Sequence, residues 1–220
     1  MFRVAHTTTA IGDVSLSRSK SSQTWLKEHH DDQYVLQARR DGYRSRAIYK
    51  LIEIQEKDQV LKPGQFVLDL GAAPGGWSEY AAQFVSDKGR LIAVDLLPVE
   101  PIGGAEIIQG DFTEQSTLDE IVKLVEGRDI DLVLSDMAPN LSGMESVDQP
   151  RSMYLVELAF ELARDYLGKN GVFVVKLFQG EGSDAYISLL RGCFKSVKLR
   201  KPGASRPRSR EIYAVCRGLR

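Results

Sequence analysis

The sequence predicts an α/β fold: a seven-stranded, mostly parallel sheet with helices on both faces. Three observations carry that expectation. Short apolar runs alternate with segments of helical periodicity along most of the chain. Four acids, Asp69, Asp95, Asp111 and Asp136, sit at or just past the ends of apolar runs, where the strand ends of an open sheet share one ligand-binding rim. The first run, Phe66-Val67-Leu68, leads into the glycine-rich turn Asp69-Leu70-Gly71-Ala72-Ala73-Pro74-Gly75-Gly76-Trp77, which opens a helix.

The elements follow in order. Trp25 to Ala38 and Ser45 to Gln55 carry helical spacing, with Asp41-Gly42 breaking between them. Lys62-Pro63-Gly64 turns into strand one, Phe66 to Leu70, and Ser78 to Val85 reads as a helix. Asp87-Lys88-Gly89 leads to strand two, Leu91 to Asp95. Strand three is Glu106 to Gln109, followed by a helix from Leu118 to Val125 and strand four from Leu132 to Ser135. Pro139 to Pro150 reads as a polar loop, Arg151 to Leu167 as a strongly periodic helix, and Gly168-Lys169-Asn170-Gly171 as a turn into strand five, Val172 to Lys176. A loop from Phe178 to Ser183, a helix from Asp184 to Arg191, and strands six (Phe194 to Leu199) and seven (Glu211 to Cys216) complete the pattern. We expect a flexible tail over 1–21 and a single domain over 22–220, made of a helical appendage (22–60) and an α/β core (61–217).

With 220 residues, 43% of them hydrophobic and 27% charged, the composition is that of a soluble globular domain. No apolar run approaches a membrane span. Cys193 and Cys216 form no C-x-x-C pair and all three histidines lie in the first thirty residues, so no metal site is expected and a reducing cytoplasm fits. The net charge of −1 hides segregation. Arg39, Arg40, Arg44, Arg46 and Lys50 form one basic group. Lys195, Lys198, Arg200, Lys201, Arg206, Arg208 and Arg210 form another, and such faces can bind a polyanion.

Laid over G-x-G-x-x-G, the turn reads Gly71-x-Ala73-x-x-Gly76, so the second glycine is missing. That glycine normally lets backbone approach a pyrophosphate. The turn therefore suggests an adenosine-bearing cofactor without one, such as S-adenosylmethionine, and argues against NAD. Asp95, nineteen residues beyond Gly76, is placed to accept hydrogen bonds from ribose hydroxyls. Lys176 ends the apolar strand Val172-Phe173-Val174-Val175, which sets its amine on the same rim. An amine that is ordinarily protonated at neutral pH serves as a base only where its surroundings favour the neutral form. Lys50 lies on the second helix, and sequence alone does not place it beside Lys176.

Five blocks occur in order: Arg44-Ser45-Arg46-Ala47-x-Tyr49-Lys50-Leu51, the turn from Asp69 to Trp77, Ser135-Asp136-Met137-Ala138-Pro139-Asn140, Val175-Lys176-x-Phe178-Gln179-Gly180-Glu181-Gly182, and Ser205-Arg206-x-Arg208-Ser209-Arg210-Glu211-x-Tyr213. Together they resemble the bacterial FtsJ/RrmJ-type ribosomal RNA large-subunit 2′-O-methyltransferases, from about Ser22 to about Arg217. The resemblance implies a Rossmann-like S-adenosylmethionine-dependent methyltransferase fold and a catalytic tetrad of Lys50, Asp136, Lys176 and Glu211. It implies a cofactor site at Asp69, Gly71, Ala72, Pro74, Gly75, Gly76, Trp77, Asp95, Asp111, Phe112 and Asp136. The activity implied is methylation of a uridine ribose 2′-hydroxyl in 23S-type RNA on the assembled 50S subunit, by a cytoplasmic monomer. Arg44, Arg46, Lys201, Arg206, Arg208 and Arg210 flank tetrad members and are expected to grip phosphates; the Ser/Lys/Arg mix from Ser17 to Ser22 is expected to graze RNA as well. A binding factor that kept the fold and lost the chemistry would show a broken tetrad or turn, and neither is broken here. A dehydrogenase is disfavoured by Ala73 and by the absence of a histidine near any strand end.

Overall fold

The computed structural model describes residues 32–86 and 88–220. The expected tail, the first seven residues of the first expected helix and Asp87 lie outside them. The chain order is α1 (Gln33–Asp41), α2 (Ile48–Asp58), β1 (Phe66–Leu70), α3 (Gly76–Val85), β2 (Arg90–Asp95), β3 (Ala105–Gln109), α4 (Gln115–Val125), β4 (Ile130–Ser135), α5 (Glu145–Tyr166), β5 (Leu167–Phe178), α6 (Ser183–Cys193), β6 (Phe194–Arg200) and β7 (Glu211–Leu219). The seven strands form one sheet in the order β3-β2-β1-β4-β5-β7-β6. The first five pair in parallel. β7 runs antiparallel between β5 and β6. The order reverses between β1 and β4, which makes the carboxyl ends of those strands the place where an open sheet leaves a crevice.

Strand alternation sorts the core into two layers. Phe66, Leu68, Leu70, Val133, Phe173 and Val175 face α4, α5 and α6, where Ile121, Phe160 and Leu190 meet them. Val67, Leu132, Leu134, Val172, Val174, Tyr213 and Val215 face the opposite way, against Leu51 and Ile54 of α2 and Trp77 and Ala81 of α3. Period two then fixes where the polar residues at the strand ends project. Asp69 follows Val67, Asp136 follows Leu134, Lys176 follows Val174, and Glu211 precedes Tyr213 on the α2–α3 side. α2, which the sequence reading assigns to the appendage, thus contributes buried Leu51 and Ile54 to the sheet's own core.

Several boundaries differ from the expected ones. α5 begins at Glu145, not Arg151, and carries Pro150 within it. Glu145 and Asp148 in its first turn favour the positive end of the helix dipole, and Pro150 forgoes one backbone bond near that end. The expected Gly168–Gly171 turn is an excursion within β5, whose pairing passes from Leu167 opposite Ile130 to Val172 opposite Leu132. α1 ends at Asp41 with Gly42 in the left-handed conformation as its cap (φ 78°), three residues beyond the expected end. No helix among the described residues is long and apolar enough to cross a membrane.

Candidate active site

Two clefts open at the carboxyl ends of β1 and β4. The first, about 500 Å³, is lined by Gly71, Ala73, Asp95, Asp111, Phe112 and Asp136, with Leu96, Leu97, Met137 and Tyr154 as apolar wall. The glycine turn shapes its floor. Gly71 has φ 80°, and a Cβ there would lie 2.8 Å from Met137 Cγ and 2.9 Å from its backbone nitrogen, so only glycine lets β1 and β4 exit side by side. Asp95 holds the turn: one carboxylate oxygen accepts from the Ala73 N–H at 2.8 Å and the other from the Leu97 N–H at 2.8 Å. Asp111 Oδ1 accepts from the Thr113 N–H and hydroxyl at 2.9 and 2.7 Å, which holds its carboxyl below the usual range.

Asp69 lies beneath this floor, fully buried. Its Oδ2 accepts from the Ser78 hydroxyl at 2.6 Å, while Oδ1 has no protein partner. Burial pushes its pKa up to about 7, against the Ser78 bond and with help from the charges of Asp136 and Asp95. Between the ordinary carboxylate range and pH 7 the unfolded chain has released this proton and the folded chain retains it, so this group lowers stability as pH rises through that window. Asp69→Asn is therefore expected to gain stability relative to wild type between pH 5 and pH 8, by about 2 kcal/mol. Thermal unfolding of both proteins at the two pH values checks it; a gap that does not change with pH would contradict it.

The second cleft, about 850 Å³, is lined by Arg46, Lys50, Lys176, Phe178, Arg206, Arg208, Arg210 and Glu211 on one side and by Leu141, Gly143 and Glu145 on the other. Sheet register assembles it. Lys176 lies opposite Tyr213, and Phe178 opposite Glu211, across the β5–β7 pair. Lys176 Nζ is 3.0 Å from Asp136 Oδ1 and also donates to the Asp136 carbonyl. Lys50 Nζ is 2.8 Å from Glu211 Oε1. Tyr213 joins the two pairs: its hydroxyl donates to Asp136 Oδ1 at 2.7 Å, and Lys50 Nζ stands 5.6 Å from its ring centre. Burial, with the Asp136 and Glu211 charges added, raises the Tyr213 pKa well above the usual value, so it remains a donor. Burial alone would raise the Asp136 carboxyl, but Lys176, Lys50 and the Tyr213 hydroxyl together hold it below the usual carboxylate range.

The residues singled out from sequence thus divide. Lys50, Asp136, Lys176 and Glu211 converge. Asp95, Asp111, Phe112, Gly71 and Ala73 line the first cleft, whereas Asp69, Ala72, Pro74, Gly75, Gly76 and Trp77 sit behind or beside it. Trp77 is buried, its indole N–H donating to the Ala47 carbonyl at 2.8 Å and its ring 5.7 Å from Tyr213. Among the cations, Arg46, Arg206, Arg208 and Arg210 line the second cleft. Arg46 and Arg206 are both drawn to Asp32, and Arg210 to Glu145. Arg44 turns instead to the glycine turn: it donates to the Glu100 and Pro101 carbonyls at 2.7 and 2.9 Å and to the Pro74 carbonyl at 3.4 Å. Lys201 donates to the carbonyls of Ser209 and Glu211, both at 2.6 Å, and so shapes the segment carrying Glu211. The sequence alone gives Tyr213 no role. Its spacing of two from Glu211 on one strand is the signal that places it on the same face.

A doubly wound sheet with an antiparallel β7 inserted at one side, and a carboxylate-lined crevice at its switch point, defines a Rossmann-like methyltransferase fold. Comparison with known proteins narrows the class. The chain belongs to the FtsJ-like methyltransferase family, whose model matches residues 43–219. It is 58% identical over 201 residues to the ribosomal RNA large subunit methyltransferase E of Chromohalobacter salexigens, covering 91% of this chain and 96% of the relative. It is also 58% identical over 205 residues to the protein of the same name from Hahella chejuensis, covering 93% and 100%. Among solved structures, a Plasmodium falciparum protein assigned as a ribosomal RNA methyltransferase superposes with a TM-score of 0.71 at 29% identity, over 80% of this chain and 98% of that one. A Clostridium thermocellum protein assigned as an rRNA methylase shares the fold (TM-score 0.53, 14% identity, 77% and 97% covered).

Proposed function

We propose that this chain transfers a methyl group from S-adenosylmethionine to the ribose 2′-hydroxyl of a uridine in large-subunit (23S-type) ribosomal RNA, on the assembled or nearly assembled 50S subunit, with Lys176 as general base. The observation that carries the reading is the meeting of the two clefts at one ion pair. Asp136 lines the first, Lys176 lines the second, and they are 3.0 Å apart. A donor in one cleft and an acceptor in the other would face each other across that pair. The names of the relatives favour ribosomal RNA as the acceptor.

The first cleft fits this cofactor. It presents the carboxylates of Asp95, Asp111 and Asp136 to a ligand that carries cationic groups and ribose hydroxyls. Asp69 Oδ1 is a buried acceptor still without a partner. Asp95, Asp111 and Phe112 would hold the adenosine, and Asp69 with the turn from Gly71 through Ala72, Pro74 and Gly75 to Gly76 the methionine part. Bound there, S-adenosylmethionine would supply an electrophilic methyl group. A ribose hydroxyl is a weak nucleophile, so the protein must align it and manage one proton. Lys176 receives that proton as an amine, or stabilises the developing alkoxide as an ammonium. Asp136 fixes the lysine and Tyr213 fixes Asp136. Glu211 holds Lys50, which helps to place the ribose. Arg46, Arg206, Arg208 and Arg210 would receive phosphates on exchange with their present partners.

Methyl transfer from labelled cofactor to large subunits, small subunits, transfer RNA and naked ribosomal RNA tests the substrate; no preference for large-subunit material would contradict the reading. The roles of the cations separate by two variants. Arg208→Ala is expected to weaken RNA binding and reduce the slope of log affinity against log salt by about 0.7–0.9, without altering cofactor affinity. Arg44→Ala is expected to leave that slope unchanged and to weaken S-adenosylmethionine binding about tenfold, because it unfastens the turn at Pro74. Titration calorimetry and filter binding at several salt concentrations check both.

A further inference from the structure

The wall of the second cleft opposite the arginines carries Leu141 among the polar side chains of Glu145, Asp148, Gln149 and Ser152. Leu141 belongs to the β4–α5 segment, which runs from the first cleft (Pro139, Asn140) into the second (Leu141, Gly143). Leu141 and Met144 are 63% and 59% exposed. One exposed apolar side chain needs no explanation, but two within four residues beside a cation-lined cleft do. The backbone around them is fixed. Asp148 accepts from the Ser142 N–H and hydroxyl, both at 2.8 Å, and from the Gly143 N–H at 2.9 Å, and the Met144 N–H donates to the Ser142 hydroxyl at 3.2 Å. Gly143 takes φ 84° to close the hook. The segment that carries these two exposed side chains is thus fastened at its backbone.

Resting on the RNA-methylating reading above, we propose that this hook is the base-contacting wall of the substrate cleft. Leu141 and Met144 pack against a nucleobase beside the target nucleotide and replace the stacking it loses when the ribose reaches Lys176. Charge complementarity favours nucleic acid as the occupant. Arginines on one wall suit phosphates, Leu141 on the other with Met144 exposed beside it suits the face of a base, and a ribose lies between the two in any nucleotide. A ribose hydroxyl inside a stacked loop does not reach a lysine at the bottom of a cleft unless a neighbouring base moves, and apolar side chains are a known means of compensating that movement.

The test compares wild type with the double variant Leu141→Ser/Met144→Ser and with Asp148→Asn, which loosens the hook without touching its apolar side chains. Transfer to large subunits is measured together with S-adenosylmethionine affinity and the salt slope of RNA binding. The fluorescence of 2-aminopurine placed beside the target uridine in a large-subunit RNA fragment reports unstacking. The double variant is expected to lose about tenfold or more in kcat/KM and most of the fluorescence rise, with cofactor affinity, salt slope and melting temperature unchanged. Asp148→Asn is expected to show a smaller loss of the same kind. A double variant that matches wild type overturns the proposal while leaving the methyltransferase reading standing. A loss accompanied by weaker cofactor binding also overturns it, since the hook would then serve the donor cleft. Failure of wild type to methylate any RNA removes the functional reading and this proposal together.

Discussion

Lys176→Ala is expected to lower methyl transfer by about a thousandfold or more while leaving S-adenosylmethionine affinity within about twofold of wild type. The asymmetry comes from position. Lys176 lies two residues before the end of β5 on the face shared with Tyr213 and lines the second cleft, and it is not among the residues lining the first. Its amine lies 3.0 Å from the Asp136 carboxylate, where under the proposed reading a ribose hydroxyl would be activated. Single-turnover transfer and equilibrium cofactor binding, measured on the same preparation, separate the two effects. Loss of both would reassign Lys176 to holding the structure together.

Asp136→Asn is expected to fail differently, losing both cofactor affinity and turnover. Asp136 lines the first cleft and is also the acceptor for Lys176 and for the Tyr213 hydroxyl. An amide keeps the shape but removes the charge that balances the Lys176 cation, and breaking such an enclosed pair costs about 3 kcal/mol. We expect about a hundredfold loss in kcat/KM with a clear rise in the cofactor dissociation constant. The stability loss should itself depend on pH. The folded Asp136 carboxyl is held below its ordinary range, so its contribution is present at neutral pH and fades as acid protonates it. The gap between Asp136→Asn and wild type in thermal unfolding should thus narrow as pH falls toward the carboxylate range. A gap that widens instead would contradict the assignment of Asp136 as the charged centre.

The strands were legible because their apolar runs are short, punctuated and end at acids. The same runs carry the alternation that sets Asp69, Asp136 and Lys176 on one face. Strand direction was less so: nothing local in Phe194 to Leu199 or Glu211 to Cys216 says that β7 enters antiparallel between β5 and β6, yet that insertion places Tyr213 opposite Lys176. α5 was read short because Pro150 looks like a boundary, whereas the helix starts at Glu145 and carries the proline in its second turn. The basic clusters illustrate a deeper limit. Arg44 and Arg46 are two residues apart and chemically identical, but one reaches three carbonyls around the glycine turn and the other lines the second cleft beside Asp32. Which way a long cation turns depends on carbonyls fifty or more residues away, as Glu100 and Pro101 are from Arg44.

In the proposed reaction the two clefts bring a methyl donor and a ribose hydroxyl together at the Asp136–Lys176 pair. Nucleoside analysis of large-subunit RNA after reaction with labelled S-adenosylmethionine tests it most directly. Label is expected in 2′-O-methyluridine at one site, absent when Lys176→Ala replaces the wild-type protein. Label on a base, or label in 2′-O-methyluridine that persists in Lys176→Ala, would contradict it.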